Sequence, residues 1–156
     1  MLNCIHLNIE PKDMWPAILA GIISIMQWYW NAQHKKRERK IDLEKRLENI
    51  LKITITYPYL EHKSITKTWN ANKESCDEKY LRYCQFCDIL FNYLEAVYKH
   101  FEGDREEIEK FLDVPHWVQI HSQIWQNPPD DDKTEGYDEG FRNYIDDCLR
   151  LPQRTM

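Results

Sequence analysis

Glycine is scarce, and the patterns built on glycine or cysteine that mark nucleotide and metal enzymes are missing. With 4 Gly in the whole chain there is little material for a loop that wraps phosphate in backbone N–H groups, and neither G-x-x-x-x-G-K nor G-x-G-x-x-G occurs. The five cysteines, Cys4, Cys76, Cys84, Cys87 and Cys148, are odd in number and irregular in spacing, so neither a disulfide framework nor a paired C-x-x-C zinc site follows from them. Cys84 and Cys87 form a single C-x-x-C, but it falls inside a helical pattern and not at a strand-to-helix turn, and packed thiols are expected there. Six histidines lack an H-E-x-x-H, and His116 and His121 stand five residues apart, on different helical faces. Asp130, Asp131 and Asp132 with Asp138 and Glu139 lack the twelve-residue rhythm of a calcium loop and read as a solvated acidic loop. The expectation is therefore no catalytic residue, no metal, no cofactor and no enzymatic activity.

Charge of either sign is missing between Met14 and Trp30, where only Ser24 and Gln27 are strongly polar. Seventeen residues of helix cover roughly 25 Å, slightly short of a hydrocarbon core of about 30 Å. Trp15 at one end and Trp28, Tyr29 and Trp30 at the other stand where amphipathic rings favour the lipid headgroups, and Lys35, Lys36, Arg37, Arg39 and Lys40 follow. These nine residues are the expected membrane interface. A secretory signal peptide would carry its positive charge before the apolar stretch, and here it comes after. A helix in the membrane plane needs a strong polar face, for which Ile18, Leu19, Ile22, Ile23 and Ile25 leave no room. The sequence thus predicts a transmembrane helix over 14–32 in the inner (cytoplasmic) membrane, single-pass. The N-terminus at 1–13 is outside, and the C-terminal domain is in the cytoplasm by the positive-inside bias.

From Lys35 to Arg46 seven basic residues face three acidic ones, net +4, whereas from Leu47 to the end the balance is −8. The basic residues form a juxtamembrane collar over 33–46, the acidic body spans 47–151, and 152–156 is a tail. An acidic body makes nucleic acid an unfit partner, while the collar suits anionic membrane lipid.

The body reads as helical. Leu43, Leu47, Ile50, Leu51 and Thr54 recur on one helix face, and the alternation from Ile53 to Tyr57 lacks a partner strand and ends at Pro58. Residues 61–78, with Asn70, Asn72, Ser75 and Asp77 around Trp69, read as loop with a short helix. From Glu78 to Phe101 the residues Tyr80, Tyr83, Cys84, Cys87, Leu90, Phe91, Leu94, Val97, Tyr98 and Phe101 step by threes and fours, and Gly103 supplies a stop. Asp104-x-x-Glu107 has the form of a capping box opening a short helix. One helix follows from Val114 to Trp125, and a last one leads from Tyr137-Asp138 through Phe141, Tyr144, Ile145, Cys148 and Leu149. The fold class expected is all-α, one transmembrane helix followed by a small bundle of four or five helices.

The stretch L-F-N-Y-L-E-A-V-Y in the main helix, the Trp-bearing helix after it and G-Y-D-E-G-F-R-N-Y-I near the end carry a likeness. Together with the apolar segment and its collar, over most of residues 14–150, they resemble small bacterial membrane-anchored helical proteins of unknown function. The resemblance implies fold and topology and brings no catalytic residues.

The function expected is a non-enzymatic interaction protein that contacts membrane lipid and a protein partner or a second copy of itself, as a component or effector of a bacterial stress or phage-defence system. Two alternatives stand beside it: a tethered enzyme or ligand-binding domain built on Glu95, His100, His116, His121 and Asp147, and a wholly soluble helical protein that buries 14–30.

Overall fold

The computed structural model describes the backbone of residues 11–74, 77–129 and 134–150, with the side chains of all of these but 11–14 and 17. The segment before residue 11, Cys4, Cys76, the Asp130-Asp131-Asp132 run and the tail 152–156 lie outside the described residues. Among the described residues every regular element is helical. They run α1 (Pro11–Thr56), a 3-10 turn (Pro58–Glu61), α2 (Lys63–Thr66), α3 (Trp69–Asn72), α4 (Glu78–His100), α5 (Arg105–Phe111), α6 (Val114–Ile120), α7 (Ser122–Gln126) and α8 (Glu139–Arg150). The all-α class holds. The chain divides into two compact units, residues 1–39 and 40–156.

The transmembrane helix expected over 14–32 is overturned, and the single-pass inner-membrane location with it: among the described residues no helix is long and apolar enough to cross a membrane. The physical reason is length. The aliphatic stretch proper runs from Ala17 to Met26, ten residues with Ser24 inside it, and covers only about 15 Å of a hydrocarbon core of about 30 Å. Pro16 closes it on one side, and Gln27, Asn31 and Gln33 dilute it on the other.

In the second unit α4 is the central element. Tyr83, Cys87, Leu90, Phe91, Leu94 and Val97 are buried as the periodicity predicts, and Phe86 and Tyr93 are buried as well. A helix covered from two sides needs a wider apolar arc than a single stripe. Around it α6 packs on α8, and α2 and α3 pack on α7. Leu43 and Ile50 of α1, Ile108 of α5, Val114 and Val118 of α6, and Phe141 and Ile145 of α8 complete the core.

Within 61–78, expected as a loop with a short helix, the chain forms two short helices, α2 and α3, directly after the 3-10 turn. Four-residue helical turns carry Leu60, Ile65 and Trp69 into the core, and the Trp69 indole N–H donates to the Asn127 carbonyl at 2.8 Å. Asn70 lies within α3 and Asn72 is its last residue. The helix expected from Val114 to Trp125 is also two, α6 and α7, with His121 between them at φ −99°, ψ 20°.

The end of α4 is a Schellman motif. The Gly103 N–H donates to the Tyr98 carbonyl at 3.0 Å and the Glu102 N–H to the Lys99 carbonyl at 3.3 Å. Glu102 occupies the left-handed position at φ 54°, and Gly103 follows it at φ 77°. The stop placed at Gly103 therefore begins one residue earlier, on a glutamate. Asp104 caps α5 as expected, accepting from the N–H groups of Glu106 at 3.0 Å and Glu107 at 3.2 Å. Asp138 caps α8 in the same way, accepting from Gly140 at 2.9 Å and Phe141 at 3.2 Å.

Candidate functional site

Of the five polar residues on which an enzyme would have been built, Glu95 and His121 join distant parts of the scaffold, while His100, His116 and Asp147 make contacts local in sequence. Glu95 on α4 accepts the Asp138 N–H at 2.9 Å and pairs with Lys99 at 2.8 Å, so it positions the start of α8. His100 sits edge-on against Phe101 with ring centroids 4.7 Å apart. His116 lies in the first turn of α6, where its N–H is taken by the Asp113 carboxylate at 3.2 Å. Asp147 pairs with Arg150 at 3.1 Å on the exposed side of α8.

His121 is the buried one. Its ring packs against Tyr83 and Phe86, with centroids 5.7 and 5.6 Å away. The Tyr83 hydroxyl lies 3.1 Å from Nδ1, and Cys87 Sγ is 3.7 Å from the same atom. A neutral ring accepts from that hydroxyl and an imidazolium cannot. Burial, with His116 adding to it, brings the pKa down from 6.5 to about 3. Burial also pushes the Cys87 thiol well up, away from the thiolate that a nucleophile requires. The cavity beside Cys87, bounded by Phe91, Trp125 and Tyr137, has a volume of about 30 Å³, room for one water. The Tyr83, Cys87 and His121 constellation is a satisfied core network without space for a substrate. Among the described residues no three His, Cys, Asp or Glu side chains are placed to hold a metal.

The first unit is of a different character. From Trp15 to Trp30 every described side chain is exposed, the large apolar ones at 45–72%, so the described part of 14–30 is not buried in a core. Successive residues turn about 100° around a helix. On that register Trp15, Ile18, Ile22, Ile25 and Tyr29 fall in line, and Leu19, Ile23, Met26 and Trp30 lie beside them. All nine share one arc of about 160°. Ala20, Ser24, Gln27 and Asn31 occupy the opposite side, and of the large rings only Trp28 departs from the apolar face.

The polar side asks little of its surroundings, because the Ser24 hydroxyl already donates to the Ala20 carbonyl at 2.8 Å. Around Gly21 there is open space, and a Cβ built there meets no atom within 4 Å. The segment is therefore sided. The expectation that its isoleucines leave no polar face counted residues and not angles, and the helical register corrects it. The exposed apolar face amounts to on the order of 1,000 Å², more than the few hundred Å² a monomeric protein ordinarily leaves contiguous.

The expected interface residues Trp15, Trp28, Tyr29, Trp30, Lys35, Lys36, Arg37, Arg39 and Lys40 are all exposed. The register also orders the charges that follow the apolar face. Lys36 and Arg37 stand seven residues after Tyr29 and Trp30, and seven residues return to within about 20° of the starting direction, so both continue that face. Glu38 falls on the opposite side with Ala20 and Asn31. His34 stacks on Trp30, ring centroids 6.2 Å apart, at the junction of the aromatic and basic parts. Comparison of the chain with protein-family models, curated proteins and solved structures yields no match.

Proposed function

We propose that this chain is a non-enzymatic helical interaction protein whose working surface is the large-apolar face of α1 between Trp15 and Trp30. The observation that carries the reading is the sidedness of that segment: nine large apolar side chains share one exposed arc, opposite Ala20, Ser24, Gln27 and Asn31. Apolar surface of this extent is driven to leave water, and the driving force scales with its area. The second unit supports the same reading, since Glu95, His121 and Cys87 are engaged in caps and core contacts and not in an open cavity.

Thiol footprinting tests it. Met26→Cys places a thiol on the apolar face and Gln27→Cys places one on the opposite side, one residue away. Each full-length variant is treated with a permeant maleimide in the cell that makes it, and again as dilute purified protein. The expected result is protection of position 26 in the cell, reactivity of position 27 in the cell, and reactivity of both in dilute solution. Equal reactivity of both positions in the cell, or equal protection of both, overturns the proposal.

A further inference from the structure

Resting on that reading, we infer that the occupant of the apolar face is an anionic lipid surface on which residues 15–39 lie flat, and not a second copy of the chain. Three features of the segment carry this. The apolar face is one arc, so it can sink to the boundary of headgroup and acyl chain while the side carrying Ser24, Gln27 and Asn31 stays in water. Aromatic rings stand at both ends of the face, Trp15 at one and Tyr29 and Trp30 at the other, the depth at which such rings are favoured.

The third observation is charge. Lys36 and Arg37 extend the apolar face in register and Arg39 lies about 40° outside its edge, while Lys35 and Glu38 both point away from it, so Lys36, Arg37 and Arg39 lie at the plane where lipid phosphates would be. No carboxylate occurs between Met14 and Arg37. A parallel second copy would set Lys36 and Arg37 beside their own equivalents without a counter-charge on the face. A lipid phosphate supplies one. The geometry differs from a membrane span: the helix axis runs along the surface, and no described helix crosses it.

Vesicle flotation of the full chain decides this, read beside sedimentation velocity of the same sample without lipid. Vesicles of phosphatidylcholine alone are compared with vesicles in which a third of the lipid is phosphatidylglycerol. The expected result is a monomer in solution that floats with the anionic vesicles and much less with the neutral ones. Each Lys or Arg near an anionic surface contributes about fivefold in affinity, so Lys36→Gln, Arg37→Gln and Arg39→Gln together weaken anionic binding on the order of 100-fold. Raising the salt toward 1 M does the same, as the Debye length shrinks to about 3 Å. Ile18→Ser, Ile22→Ser and Ile25→Ser together abolish binding to either vesicle. Because these side chains are exposed, neither triple variant disturbs the core of residues 40–156.

Equal flotation with neutral and anionic vesicles, or an unchanged affinity in the charge variant, overturns the lipid inference. A stable dimer that ignores vesicles and is dispersed by the isoleucine variant also overturns it, and leaves the docking face standing. A monomer that binds no vesicle overturns the lipid inference as well, and the docking face then stands or falls on the protection of position 26 in the cell.

Discussion

Acidification should destabilise the second unit through His121, and the size of the effect follows from the burial of one ring. His121 is 1% exposed and held neutral between Tyr83, Phe86 and Cys87, with its pKa brought from 6.5 to about 3. In the unfolded chain the ring titrates at its ordinary value. Between those two values the unfolded state binds a proton that the folded state refuses, so stability rises with pH across the window and is lost as pH falls below about 6.5. At pH 5 the unfolded ring is about 1.5 units below its midpoint, and the native state loses about 2 kcal/mol relative to pH 8. That is a large share of the 5–15 kcal/mol by which a domain is ordinarily stable.

Urea unfolding followed by circular dichroism at pH 8, 7, 6 and 5 measures it, with the proton signal of the His121 ring followed by NMR over the same range. The expected outcome is a falling midpoint at unchanged m-value, beginning near pH 6.5, while the His121 signal does not shift. A His121→Gln chain, which keeps a polar side chain but cannot titrate, should lose this part of the pH dependence. Stability that stays level from pH 8 to pH 5, or a His121 ring that titrates near 6.5 in the folded protein, refutes the reasoning.

Three further outcomes follow from the scaffold. Glu102→Gly should stabilise the protein by about 0.5–1 kcal/mol in thermal or urea unfolding, because Glu102 holds a left-handed backbone at φ 54° that glycine adopts without steric cost. Gly103→Ala should destabilise it by about 1–3 kcal/mol, since its φ is 77° and a Cβ there lies 2.9 Å from the Tyr98 hydroxyl oxygen. Tyr93→Phe should leave stability unchanged or raise it by about 1 kcal/mol in urea titration, as the Tyr93 hydroxyl is buried without a hydrogen-bond partner.

Much of the second unit was legible in local patterns. The apolar positions of α4 recur at threes and fours over 23 residues, long enough for periodicity to stand out. Asp104 and Asp138 announce the helices they cap, because a cap is a contact between residues two or three apart. The short turns of 58–72 gave no such signal: four residues cannot show a 3.6-residue period, and the burial of Trp69 depends on Asn127, 58 positions away. The break at His121 is of the same kind, since the stripe from Val114 to Trp125 reads as one helix unless the ring's place beside Tyr83 is known.

The apolar N-terminal segment divides between the two kinds of information. Sequence alone determines that Met14 to Trp30 carries no formal charge, that aromatic residues stand at its ends and that a basic run follows, because these are properties of adjacent residues. It also determines the helical register that puts Lys36 and Arg37 in line with Tyr29 and Trp30, once angles are counted and not composition. Only the tertiary structure decided that the large side chains of this segment are exposed and that His121, Cys87 and Glu95 are engaged in core contacts and caps. Burial is a relation between residues distant in the chain, and it becomes visible only when the partners are in place.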